Sequence, residues 1–363
     1  MTTVGYVLRR LAASALLLLL LTLLTFTLYR AIPANPAGFL VDLSPGHAPS
    51  PEQIARAEKA LGVDKPLWEQ YGLYLWRAVH GDLGLAYEGT TFVPLTNERT
   101  GQAVAPAVLH AAMVTGSLVI GGALFALLLS IPLGAIAASR PRSLTDRTIL
   151  VVTLIGICTH PLVVALLLQQ FPGRQWGIAP ASGYCRFFGA AQTTIDPATF
   201  RPALGCAGPG AWASHLVLPW ITFALFFLAV YTRLVRVRMI EVMDEPFIRT
   251  AAAKGASRSR IVRHHALRNA MSPVLALVGM DIGLALGIAL YIESVYRLPG
   301  LGLTTLAALN GTVGFDLPMI LGVVLAIGLV IIVLNFAIDL VILWMDPRAA
   351  QAGTRRTAVG RVV

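Results

Sequence analysis

Charge is scarce in this chain. Of 363 residues, 13% are Asp, Glu, Lys or Arg against 56% hydrophobic, and lysine occurs only at Lys59, Lys65 and Lys254. None of these is followed by Ser or Thr, so there is no phosphate-cradling G-x-x-x-x-G-K-[ST] loop. Nucleotide, if used, must bind a partner. An H-E-x-x-H pair and a G-x-S-x-G elbow are also absent, and no paired catalytic set can be assembled. Adjacent His264 and His265 would point about 100° apart on a helix, with no suitably spaced carboxylate or thiol, so no metal site is read there. Cysteine is scarce as well, with three residues. Cys158 sits in an apolar run and reads as packing. Cys185 and Cys206 share one loop and are a candidate disulfide if that side is oxidising.

What is abundant is apolar length. The composition is far from that of a soluble domain, and the chain has room for about six spans of roughly 20 residues. The expected fold is all-α: a polytopic membrane protein with six transmembrane helices. Residues 1–32 form a short cytoplasmic end and a first span. A secretory signal is the rival, but such a core is about 7–15 residues long and ends at a small-residue cleavage site. Here the run from Leu11 to Tyr29 is longer and exits through Arg30 and Pro33. Further spans are expected near Ala107–Ala137, Thr148–Gln169 with a kink at Pro161, Ser214–Tyr231, Ser272–Val295 and Leu317–Trp344.

Residues 33–105 read as an external loop with short helices, one through Leu61 and one after Pro66. The second carries Trp68, Tyr71, Tyr74 and Trp76, aromatics suited to the headgroup level. A docking surface for an external binding protein and a cap over the outer mouth both remain open for it. Residues 106–346 form the core, with an external insertion at 171–212, and 347–363 a disordered basic tail. Counting supports both termini inside: 18 of the 28 Lys and Arg fall on that side.

One hydrophilic stretch stands between two apolar segments, Glu245 to Ala270 within the loop 244–270. Asp244 is the expected N-cap and Pro246 suits the first turn. Gly255 can end the short helix in the left-handed conformation, and Ser257 or Ser259 can cap the next. Two bulky apolar residues at the start of a surface helix look like a plug for a pocket on a partner.

This stretch resembles the coupling loop, or EAA loop, of ABC importer permeases. Arg249, Thr250 and Ala251 occupy the triplet and Gly255 the family glycine, so the acidic residue is missing. FIRTAAAKGAS and HALRNA, with GDLG at Gly81–Gly84, HLVLPWITFAL at His215–Leu225 and ESVYRLPGLG at Glu293–Gly302, resemble the first permease subunit of dipeptide/oligopeptide importers. The resemblance implies a type I importer transmembrane domain in the bacterial inner membrane. It implies as partners a second permease, two ATPase subunits that hold ATP and Mg, and an external binding protein. It also implies short peptides as cargo. Nickel chelates, glutathione or haem are alternatives, and a passive channel or scaffold is a third reading from another class. Phe247 and Ile248 would supply the apolar anchor to the ATPase, Arg249 and Lys254 the charge, and Gly255 the hinge.

Intramembrane charges are costly and should face protein or water. Asp281, Glu293, Pro299, Gly300 and Gly302 are the pathway or gate candidates. Glu293 is expected to accept backbone N–H groups of the LPGLG turn. Asp281 either lines the pathway and meets a cationic group of cargo or is buried in packing. Gly279, Gly283 and Gly287 form a small-residue face suited to close helix packing.

Overall fold

The computed structural model describes residues 3–31, 52, 65–86, 91–93, 98–100, 103–188, 194–195, 202–203, 206–310 and 316–345. The expected helix through Leu61 and the basic tail 347–363 lie outside these residues, Glu52 apart. In chain order the helices are α1 (Thr3–Ala31), α2 (Leu67–Val79), α3 (Val104–Ser139), α4 (Leu144–Cys158) and α5 (Pro161–Leu168), the last continuing as π-helical turns over Gln169–Gln175. Then come α6 (Pro209–Met243), α7 (Pro246–Ala253), α8 (Arg258–Met280), α9 (Ile282–Tyr296), α10 (Leu301–Leu309) and α11 (Leu317–Met345). The all-α expectation needs one amendment. Two short antiparallel strand pairs lie in loops: β1 (Thr91–Val93) with β2 (Glu98–Thr100), and β3 (Thr194–Ile195) with β4 (Pro202–Ala203).

Helices α3, α6 and α11 are long and apolar enough to cross a membrane unbroken, and two bent pairs, α4 with α5 and α8 with α9, raise the number to five. The apolar stretch Ala12–Thr27 of α1 is shorter than these, so five of the six expected spans are long enough to cross among the described residues. Pro161 does more than kink its span. His160, forced into an extended conformation by the proline after it, takes the N-cap position and accepts the Leu162 N–H, so α5 starts afresh at 93° to α4. Cys158, expected to pack, is exposed at this break. The expected fifth span is also two helices, bent by 58° at Asp281.

The chain divides into two compact units, the first comprising Met1–Thr3, Thr115–Gly302 and Val333–Val363, the second Val4–Val114 and Leu303–Ile332. In the second, α2 lies against α1. Tyr71 and Tyr74 pack on Phe26, and the Tyr71 and Thr22 hydroxyls lie 2.9 Å apart. Burial pushes the Tyr74 phenol up to about 12, with help from Tyr71. Trp68 and Trp76 are exposed.

In the first unit, α4 runs antiparallel to α6. Ser143 caps α4 by accepting the Asp146 N–H, and Asp146 takes two hydrogen bonds from the Arg236 guanidinium of α6, at 2.6 and 2.7 Å. This two-pronged ion pair sets the register of the two helices.

Candidate functional site

Apart from the two cysteines, the predicted site residues fall at the two ends of one broken span, α8–α9, with Asp281 between them. At the first end is α7. Glu245, not Asp244, holds the N-cap position, because Asp244 still closes α6; the Glu245 side chain makes no cap bond. Pro246 opens the helix as expected, and the Thr250 hydroxyl bonds back to its carbonyl. The far end is a Schellman closure. Gly255 N–H donates to the Ala252 carbonyl and Ala256 N–H to that of Ala251, with Gly255 at φ +81°. Such a φ is strained for any residue with a Cβ. Ser257 then caps α8 through the Arg260 N–H.

The structure separates the two expected anchor residues. Phe247 is 41% exposed, whereas Ile248 is 5% exposed and packs with Val235, Met239, Ile261, Ala270 and Val274 of its own chain. On a helix that short, adjacent side chains point to different faces, and one of them must secure the helix to the spans beneath. Ile248 therefore fixes α7 to the ends of α6 and α8. Arg249, Thr250, Lys254 and Gly255 are exposed beside Phe247, and Ala251 is half-buried. Arg258 donates to the Ser139 carbonyl, tying the loop to the end of α3.

At the other end, Arg297 takes a left-handed conformation after α9, and the chain turns through Leu298–Gly302 into α10. Glu293 is wholly buried under this turn. Its carboxylate accepts the Gly302 N–H at 2.8 Å and the Thr115 hydroxyl at 2.6 Å, while the Thr115 oxygen accepts the Leu301 N–H. The donors at the start of α10 offer a fixed partial positive charge to the carboxylate. Gly300 is buried on it and Pro299 is the exposed tip. Gln169 secures the same region, donating to the Val295 and Ala181 carbonyls.

Between the two ends, Asp281 is half-buried, and its carboxylate accepts the Tyr231 hydroxyl of α6 at 3.2 Å. Among the described residues, Gly279 of the small-residue face meets another helix, near Asn335 and Ile338, while Gly283 and Gly287 have no neighbour within 4 Å of where a Cβ would stand. Thr115 and Tyr231 were missed from sequence. They lie 178 and 50 residues from the carboxylates they serve, and no local pattern marks them.

Cys185 and Cys206 are joined as a disulfide with Cα atoms 5.0 Å apart, within the usual range. His215 lies against them, the three ligand atoms falling within 4.8 Å of one another. With the sulfurs bonded to each other no thiolate is offered, so the group has only an imidazole for a metal.

Residues 130–351 match the family described as binding-protein-dependent transport system inner membrane component, and residues 3–94 match its N-terminal counterpart. The chain is 30% identical over 346 residues to the dipeptide transport system permease protein DppB of Alkalihalophilus pseudofirmus, covering 95% of this chain and 98% of that one. It is 31% identical over 352 residues to the Escherichia coli K12 protein of the same name, covering 94% and 98%. A putative peptide transport system permease protein of Brucella abortus is 31% identical over 346 residues, with 94% and 98% covered. Among solved structures, one of inward-facing conformations of the MetNI methionine ABC transporter aligns with 66% of this chain and 96% of its own at 16% identity and a TM-score of 0.49.

Proposed function

The chain belongs to the family of binding-protein-dependent transport system inner membrane components, and from that premise we propose that it forms half of a pathway for short peptides. It is a membrane-spanning permease subunit of an ABC importer, and ATP hydrolysis belongs to partner subunits. The peptide reading is supported by similarity to dipeptide permeases along nearly the whole chain. The coupling role is carried by one observation: α7 presents Phe247 outward while Ile248 holds it to the spans.

In this reading a second permease completes the pathway, two ATPase subunits hold ATP and Mg, and an external binding protein delivers cargo. Both termini face the cytoplasm. Closure of the ATPase pair pushes on α7, and the rigid contact through Ile248 passes the motion to α6 and α8. The Leu298–Gly302 turn shapes the outer gate. The test is the purified complex in proteoliposomes. ATP hydrolysis should rise with the binding protein plus a dipeptide, and not with the binding protein plus a nickel chelate, glutathione or haem. A rise with one of the latter alone reassigns the cargo.

Asp281 sits at the break of a discontinuous span, the kind of place where transporters bind substrate. As a pathway residue it favours cationic cargo. Asp281→Asn should lower the uptake of a Lys-containing dipeptide relative to a Glu-containing one by roughly tenfold. The same binding protein serves both variants, so its own selectivity cancels in the ratio. An unchanged ratio assigns Asp281 to packing against Tyr231.

A further inference from the structure

Between α4 and α6 the surface opens into a cavity of about 410 Å³, lined by Leu150, Leu154, Val230 and Val237 with Arg233 and Arg236. The Asp146–Arg236 pair fixes how the two helices align: Arg236 and Val237 line the end of the cavity nearer α7, and Arg233 comes about one turn further in. Leu154 and Val230 lie farther along, toward the middle of the span. On the outer side of α4, Val151, Val152 and Ile155 are 58%, 60% and 63% exposed, so the cavity lies beside apolar surface of the kind that faces hydrocarbon.

The two arginines are not equivalent. Arg236 is engaged by Asp146. Arg233 is exposed and, among the described residues, makes no hydrogen bond or ion pair. A guanidinium with no partner among the described residues thus stands in a groove whose lining, apart from Thr153 and the paired Arg236, is apolar. At about 30 Å³ per water-sized group, the volume holds roughly 14 methylene-sized groups, close to one acyl chain. A packed partner helix is too wide for it, and a free anion would leave the apolar length unused.

We propose that this groove binds an anionic phospholipid of the leaflet nearest α7, its phosphate on Arg233 and one acyl chain between α4 and α6. The inference rests only on the chain spanning a membrane, not on its cargo. Because α6 also carries the contact with Ile248, a lipid seated there lies against a helix that takes part in coupling.

The experiment uses the whole transporter complex in nanodiscs holding equal phosphatidylglycerol and phosphatidylcholine, with retained lipid read by native mass spectrometry. Wild type should retain phosphatidylglycerol over phosphatidylcholine by roughly fivefold, the preference one basic residue gives near a membrane surface. Arg233→Gln should bring the ratio to near one. Val230→Trp, which fills the groove, should lower retention of both lipids. Arg140→Gln, on an exposed arginine of the neighbouring loop, should keep the preference. The proposal is overturned if Arg233→Gln retains it, if Arg140→Gln removes it as fully, or if Val230→Trp changes nothing. It is also overturned if millimolar inorganic phosphate releases the lipid, since the site would then be one for free anions.

Discussion

Phe247→Asp should abolish ATP-driven uptake while leaving the chain inserted and folded. The side chain is 41% exposed on the first turn of α7, so its own fold loses little when it is replaced. A partner that buries it loses an aromatic anchor and gains a desolvated carboxylate. Such central aromatic residues are worth about 2–4 kcal/mol at an interface, or roughly 30- to 1,000-fold in affinity. The ATPase subunits should fail to co-purify, and uptake in proteoliposomes should fall to background. Ile248→Ala separates docking from transmission. Truncating a buried isoleucine costs about 2–5 kcal/mol, here within this chain's own core. That variant should keep its ATPase subunits, melt earlier and transport poorly for each ATP hydrolysed. If Phe247→Asp transports at the wild-type rate, α7 is not the point of contact.

The second large effect is expected at Gly300. A Cβ there would stand 2.3 Å from the Glu293 carboxyl, closer than real atoms approach. The obstacle is steric, since Gly300 does not adopt a positive φ. Glu293 has no easy retreat, being fully buried and held by Thr115 and the Gly302 N–H. Gly300→Ala should push the carboxylate off its donors and leave a buried charge poorly compensated, at a cost of about 3–5 kcal/mol. Gly302→Ala should act alike, its Cβ falling 2.6 Å from the Leu290 Cα. Glu293→Gln should be milder, about 1–2 kcal/mol, since an amide oxygen can still accept the Gly302 N–H. Thermal unfolding of the purified complex ranks the three. A Gly300→Ala protein as stable as wild type would mean that the turn rearranges freely and that Glu293 does not hold its shape.

Local chemistry explains which parts of this architecture were legible in advance. Pro246, Gly255 and Ser257 act within a few residues of themselves, through a fixed φ, a left-handed turn and a cap, so the short helix and its end could be read directly. The exact cap could not: Asp244 and Glu245 are both plausible, and the choice falls to where α6 stops. Apolar length marked the spans, yet it is blind to direction. Nothing in the run Thr148–Gln169 distinguishes a kink from a 93° break, because that depends on what the two halves pack against.

By itself, the sequence determined that this is a polytopic helical membrane protein without a nucleotide-binding loop, carrying a short polar helix between two spans. Hydropathy, chain length and residue-by-residue turn preferences suffice for that, since each acts over one helix or less. Only the tertiary structure decided that Phe247 faces outward while Ile248 holds the helix down, that Thr115 shares the Glu293 carboxylate with Gly302, and that Arg233, without a partner among the described residues, lines a largely apolar groove. Those outcomes come from side chains far apart in the chain competing for the same space and the same hydrogen bonds, and that competition exists only once the helices are packed.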